Sequence, residues 1–160
     1  MNMNSTASSI GGAFTVTAGA VTLTMNGAAA GTRTITGALA VNGGTLTLGS
    51  AIDVTGAASQ TTTGSIALGD NNLTLANTYS HNGTGTISAG AGAVIAKVTA
   101  TRIYTLTTTV AIPNFTLNAA GFGIQLATAG LEVSNKFVQT AGDVDLNSLP
   151  LTIISNFICL

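Results

Sequence analysis

Charge is what this chain has least of. Charged side chains make up 6% of its 160 residues, against roughly 25% in ordinary soluble domains, and the formal net charge is -1. A basic field able to hold nucleic acid or an anionic lipid surface is therefore excluded. Nothing long-range keeps copies of the chain apart either, which favours association. Trp is absent and the single cysteine, Cys159, rules out an intramolecular disulfide. We read Cys159 as a small apolar packing residue, with a cross-link between two copies as the alternative. One His and one Cys make no metal motif. The stretch Gly90-Ala91-Gly92 lacks the following Lys of a phosphate loop, so no cofactor is expected. There is no apolar window of about 18 residues, hence no membrane-spanning helix; the apolar run 149–160 is too short and Asn156 interrupts it. Residues 1–9 carry no basic residue and no apolar run, so a secretory signal of the usual kind is not expected, and either export by another route or a mature or partial form is implied.

Catalytic groups are equally scarce. The acids are Asp53, Asp70, Glu132, Asp143 and Asp145, and only Asp143 and Asp145, flanking Val144, lie close together. Glycoside cleavage needs two suitably spaced carboxylates, or a base with a charge-neutralising partner for a lyase. A Ca²⁺ site needs six to eight oxygens. We read the pair as a solvated edge. His81 sits in a Gly/Asn-rich stretch, Tyr79 to Gly83, expected to be a loop, and no Ser or Cys is placed to use it. An enzyme is not expected.

What the chain has in abundance is Thr (28), Gly (20) and alternating aliphatics. The aliphatics exclude disorder, and Thr favours strands. The stretch Ile66-Ala67-Leu68-Gly69-Asp70-Asn71-Asn72-Leu73-Thr74-Leu75 shows the unit: apolar-small-apolar, four corner residues, apolar-small-apolar. The alternation has the strand period, and Gly and Asn tolerate the left-handed backbone of a corner. The same unit begins at Phe14, Leu39, Ile66, Ile87, Phe115 and Val144, a mean step of 26 residues. It continues without a break from Ile124-x-Leu126 to Leu131-x-Val133, as successive sides around one axis would. The segments 27–31 and 57–63 read as small-residue and polar connections. Outward positions are expected to carry Thr15, Thr22, Thr47, Thr74, Thr116 and Thr152, with Ala40 and Ala67.

A repeat of this size points to a solenoid whose units stack on each other. The expectation is an all-β, right-handed parallel β-solenoid (β-helix) of about six coils, the hand following the usual rule for parallel crossovers. Residues 1–12 are expected to be a flexible lead-in, and 13–160 one solenoid domain with an apolar C-terminal strand. An antiparallel β-sandwich, each four-residue gap a hairpin loop, is the architectural alternative and would suit a pilin-like subunit.

The stretches Gly44-Thr45-Leu46-Thr47-Leu48 and Asn71-Asn72-Leu73-Thr74-Leu75-Ala76-Asn77-Thr78-Tyr79 resemble the Gly/Asn/Thr-rich repeats of bacterial surface β-solenoids, such as autotransporter passengers and filamentous adhesins. The resemblance covers about residues 14–153. It implies a secreted or cell-surface rod with an adhesive or structural role, including cell-surface or glycan contacts of unspecified kind.

Solenoid ends expose unpaired strand edges that template pairing unless they are capped. The expected function is therefore a structural subunit of a self-assembling extracellular filament or surface fibre. Its partner is a second copy of itself, met by end-to-end stacking or terminal-strand exchange. Phe14, Val16, Leu151, Ile153, Phe157 and Ile158 are expected at or near the contacts. A Thr-rich ice- or surface-binding solenoid is the functional alternative, resting on Thr-x-Thr pairs at 15/17, 22/24, 45/47 and 107/109.

Overall fold

The computed structural model describes residues 2–4, 8–26, 33–107 and 110–160. The connection at 27–31 and the residues Thr108 and Thr109 lie outside the described residues. The architecture is a parallel β-solenoid of about seven turns, and every pairing among the described strands is parallel. Parallel pairing throughout excludes the antiparallel sandwich.

Each turn has three sides. The first carries Asn2–Asn4, Ala20–Asn26, Thr45–Leu48, Ser65–Ala67 and Ile87–Ser88, then 110–112, 131–133 and Leu151–Ile153. The second carries Ser8–Ile10, Arg33–Ile35, Ile52–Val54, Leu73–Leu75 and Val94–Ala96, then 115–117, 136–139 and Asn156–Cys159. The third carries Phe14–Val16, Leu39–Val41, Ala58–Thr62, Tyr79–Gly83 and Arg102–Leu106, then 124–127 and 143–145. In the last turns the corners from first to second and from second to third side are themselves extended, so Val110–Ala127 and Leu131–Asp145 run round them as single long strands. Within 1–12, Asn2–Asn4 and Ser8–Ile10 supply first rungs of two sides.

The rise is about 21 residues per turn, not 26. Along the second side Leu73, Val94, Phe115, Phe137 and Phe157 pair in succession. From Phe14 to Val144 the third side takes six steps where the repeat count takes five. The difference has a residue-level cause. The apolar-gap-apolar unit marks any of the three kinds of corner: Val16 to Val21 joins third side to first, Leu68 to Leu73 first to second, and Leu117 to Phe122 second to third. Two third-side rungs escape the pattern because Gln60 and His81 point inward. The stretch 57–63 is strand Ala58–Thr62, and 79–83 is strand Tyr79–Gly83 rather than a loop.

One continuous core fills the axis, with Leu23, Val41, Leu46, Leu68, Leu73, Phe115 and Ile124 wholly buried. Intervening Thr side chains point out, as in the buried–intermediate–buried pattern of Leu73–Leu75. Corners are held by backbone and amide contacts between neighbouring turns. Gly44 has φ +70° and stacks on Gly19, φ +73°; a Cβ at Gly44 would collide with the Gly19 backbone. Asn114 Nδ2 donates to the Gly90 and Gly92 carbonyls at 3.0 and 2.8 Å, and Asn135 Nδ2 donates to Asn114 Oδ1 at 2.7 Å. No helix among the described residues is long and apolar enough to cross a membrane.

Candidate assembly interface

The six residues expected at contacts separate into two groups at opposite ends of the axis. Phe14 and Val16 lie on the first rung of the third side. Leu151 and Ile153 lie on the last rung of the first side, and Phe157 and Ile158 on the last rung of the second. The solenoid path places them there because each side adds its strands in chain order.

At the C-terminal end the core columns run out into solvent. Phe115, Phe137 and Phe157 stack with ring centroids 5.7 and 5.4 Å apart. The first two are buried, while Phe157 is 54% exposed. The same step occurs on the first side, where Val110 and Leu131 are buried and Leu151, next in the column, is only partly covered. Leu151–Ile153 and Asn156–Cys159 pair on one edge only among the described residues. Unpaired strand edges of this kind accept a further strand. An apolar groove of about 390 Å³ lies between the three last rungs, lined by Phe137, Val144, Leu146, Leu151, Ile153 and Phe157, with Gln139 and Asp143 at its margin.

Two of the six behave differently from the rest. Ile158 continues the outward column of Thr116 and Val138, so it borders the rim of the end face instead of extending the core. Val16 is 2% exposed and packed into the first turns, while Phe14 beside it is half-buried. Three exposed apolar residues at the same end escape the sequence reading: Leu146, Ile154 and Leu160. The apolar run 149–160 is the sequence signal for Ile154 and Leu160, but the place of all three at the rim follows only from the register. Cys159 continues the inward column of Leu117 and Gln139 and is exposed because no rung covers it.

Charge at this end is acidic. Asp143 and Asp145 flank Val144 on the outer surface, as expected of a solvated edge. The Asn147 backbone N–H, at 2.9 Å, and then Gln125 Nε2, at 2.7 Å, hold the Asp145 carboxyl below the usual carboxylate range. No group of three metal-ligating side chains occurs among the described residues.

Among the described residues, Gln60 and His81 put a buried polar cluster on the third side. Tyr79 Oη donates to Gln60 Oε1 at 2.5 Å, and Gln60 Nε2 donates to the Gly64 carbonyl at 2.9 Å. His81 Nε2 lies 2.9 Å from the Gly85 carbonyl, which makes that nitrogen the donor. The sole histidine is thus a core residue held through Nε2 by its own corner. Its Nδ1 and the Tyr104 hydroxyl are buried without a hydrogen bond. Burial pushes both phenols up, Tyr79 further because Tyr104 is beside it.

The Thr-x-Thr pairs do not form one array. Thr15 and Thr17 belong to the third side, and Thr107 follows another third-side strand. Thr22, Thr24, Thr45 and Thr47 lie on the first. Thr22 pairs with Thr47, but Thr45 pairs with Ala20, so the two first-side pairs are offset. Thr109 lies outside the described residues.

No family model, no curated protein and no solved structure matches the chain.

Proposed function

We propose that the protein is a structural subunit of an extracellular filament or surface fibre that grows by end-to-end stacking of solenoids. The observation carrying this reading is the uncovered last rung. Phe157 is exposed at the end of a column whose inner members Phe115 and Phe137 are buried. A second copy supplies the missing layer and continues the columns. Contact between unlike ends leaves one end of each kind free, so growth does not close. The low charge of the chain adds no repulsion to oppose it. Placement outside the cell rests on the resemblance of the repeats to bacterial surface solenoids.

The energetics suit a weak, concentration-dependent joint. Phe157, Leu151 and Ile153 are already partly buried, so completing their burial contributes about 2–5 kcal/mol, half of the about 1.5–3 kcal/mol each for full burial. Association costs about 4–15 kcal/mol in lost rigid-body freedom. These three side chains alone do not cover the cost, so the strand-edge hydrogen bonds decide the balance. With one contact type per joint, chains lengthen gradually with concentration.

Electron microscopy of the purified 160-residue chain over a hundredfold concentration range tests the reading. Unbranched rods that lengthen with concentration are expected. A monodisperse monomer at the highest concentration overturns it.

A further inference from the structure

The last turn is two sides long. Among the described strands the first and second sides have eight rungs each, ending at Leu151–Ile153 and Asn156–Cys159. The third has seven and ends at 143–145. A wound chain climbs one strand spacing per turn, so each end is a ramp with a single step. At the C-terminal end the step lies over 143–145, where Val144, Leu146 and Phe157 line the apolar groove. At the other end the ramp starts with Asn2–Asn4.

We propose that this step receives the strand Asn2–Asn4 of a second copy, so that successive copies are turned by about one third of a turn around the common axis. The inference rests on the end-to-end reading above and specifies the joint. With the third-of-a-turn offset the two ramps meet along their whole length. Ser8–Ile10 of the second copy then covers Leu151–Ile153, and Phe14–Val16 covers Asn156–Cys159. Matching inward to inward positions sets Phe14 over Phe157 and Val16 over Cys159. The motif Phe-x-apolar of 14–16 repeats that of 115–117, so the aromatic column Phe115, Phe137, Phe157 gains a further ring. An unturned neighbour leaves one third-side rung empty, with the edge of 143–145 unpaired inside the joint. Each backbone group buried unpaired costs about 1–3 kcal/mol.

Charge favours the same occupant. Arg33 is the sole charged side chain in residues 1–52, and Asp143 and Asp145 are the sole charged side chains after Lys136. The two approaching ends therefore carry opposite sign, and the acidic pair flanks the step itself. This orients the encounter of unlike ends and disfavours like ones.

Disulfide trapping tests the joint, in a Cys159→Ser background of the full chain. Thr15 and Ile158 are outward residues at the centres of strands that pair across a turned joint. Ser9, outward on Ser8–Ile10, belongs to the second-side register that runs down to Ile158, and meets it across an unturned joint. All three are surface positions, so folding is retained. Under mild oxidation Thr15→Cys with Ile158→Cys is expected to give a ladder of linked multimers. Its yield should be at least about tenfold above that of Ser9→Cys with Ile158→Cys, on the strand geometry that disulfides require. Rods of the unmutated chain should also show a subunit rise of about 37 Å with a third-of-a-turn rotation, at about 4.8 Å per turn. A ladder from the 9/158 pair, or rods whose symmetry lacks the rotation, overturns the turned joint and leaves the filament reading standing. No rods from the unmutated chain overturns both. A ladder that appears only after an unrelated protein is added overturns the second copy as occupant.

Discussion

The second and third sides share one backbone path but fill it differently. The inward column of the second side is apolar from Leu73 through Val94, Phe115 and Phe137 to Phe157. The matching column of the third side runs Val16, Val41, Gln60, His81, Leu106. The contrast shows what a solenoid interior requires. A polar side chain is tolerated where the following corner turns a carbonyl inward, as Gly64 does for Gln60 and Gly85 for His81. An apolar column needs no local partner, only a layer above and below. The second side therefore depends on stacking and is left incomplete where its layers stop, whereas Gln60 and His81 in the middle of the third are each held by a carbonyl of the following corner.

The largest expected effect separates buried from uncovered rings of the same column. Phe115→Ala should lower unfolding stability by about 3–5 kcal/mol in chemical denaturation, because Phe115 is wholly enclosed. Phe157→Ala should cost about 1–2 kcal/mol in the monomer, well below the loss at Phe115, since the ring is 54% exposed there, yet abolish rods. A large loss at Phe157 in dilute monomer breaks the comparison.

Next comes the polar column. Gln60→Ala strips the partner from the buried Tyr79 hydroxyl and should cost about 1–3 kcal/mol. Tyr79→Phe made together with it should recover part of that loss in a double-mutant cycle. Full additivity would mean that the two side chains do not work as a pair.

The third effect is alkaline. The chain has two tyrosines, both buried, and their folded-state pKa values are raised. Their stabilisation is complete below the unfolded phenol value of about 10 and is lost as pH rises above it, because unfolding then releases protons the folded state retains. The initial slope reaches about 1.4 kcal/mol per pH unit per tyrosine. Ultraviolet titration should show no phenolate until the chain unfolds. Reversible ionisation near pH 10 in the folded protein contradicts the buried cluster.

The smallest effect is acidic. The Asp145 carboxylate is lowered, so the stability it contributes is present above the ordinary carboxylate range and disappears as pH falls through its folded value. Asp145→Asn should flatten the acid limb of a pH–stability curve only slightly, since the group is exposed. An unchanged acid limb removes the contacts of Asn147 and Gln125 from the account.

Most of the strand sequence and the parallel stacking is legible in the residues. Alternation such as Leu73-Thr74-Leu75 announces strands with one inward face. Gly44 and Gly69 announce corners because they take a positive φ, and Asn71-Asn72 because their side chains bond the corners of the turns on either side, at the Leu48 carbonyl and the Ala93 N–H. The number of turns is less legible. Gln60 and His81 break the apolar alternation, and what satisfies them is a carbonyl at the next corner, a contact invisible to periodicity. The end residues are partly legible. Phe157 belongs to an apolar terminal run, but whether it or Ile158 faces the axis depends on register with Phe137 and Val138, which only the pairing defines. The step over 143–145 depends on counting rungs side by side, and a repeat length averaged over three kinds of corner hides it.

Fibre diffraction from aligned assemblies of the purified chain bears most directly on whether the columns continue from one molecule to the next. The account predicts a strong reflection near 4.8 Å along the fibre axis, from strands stacked one above another across every joint. A 4.8 Å reflection perpendicular to that axis, or a solution that yields no fibres at any concentration, would contradict it.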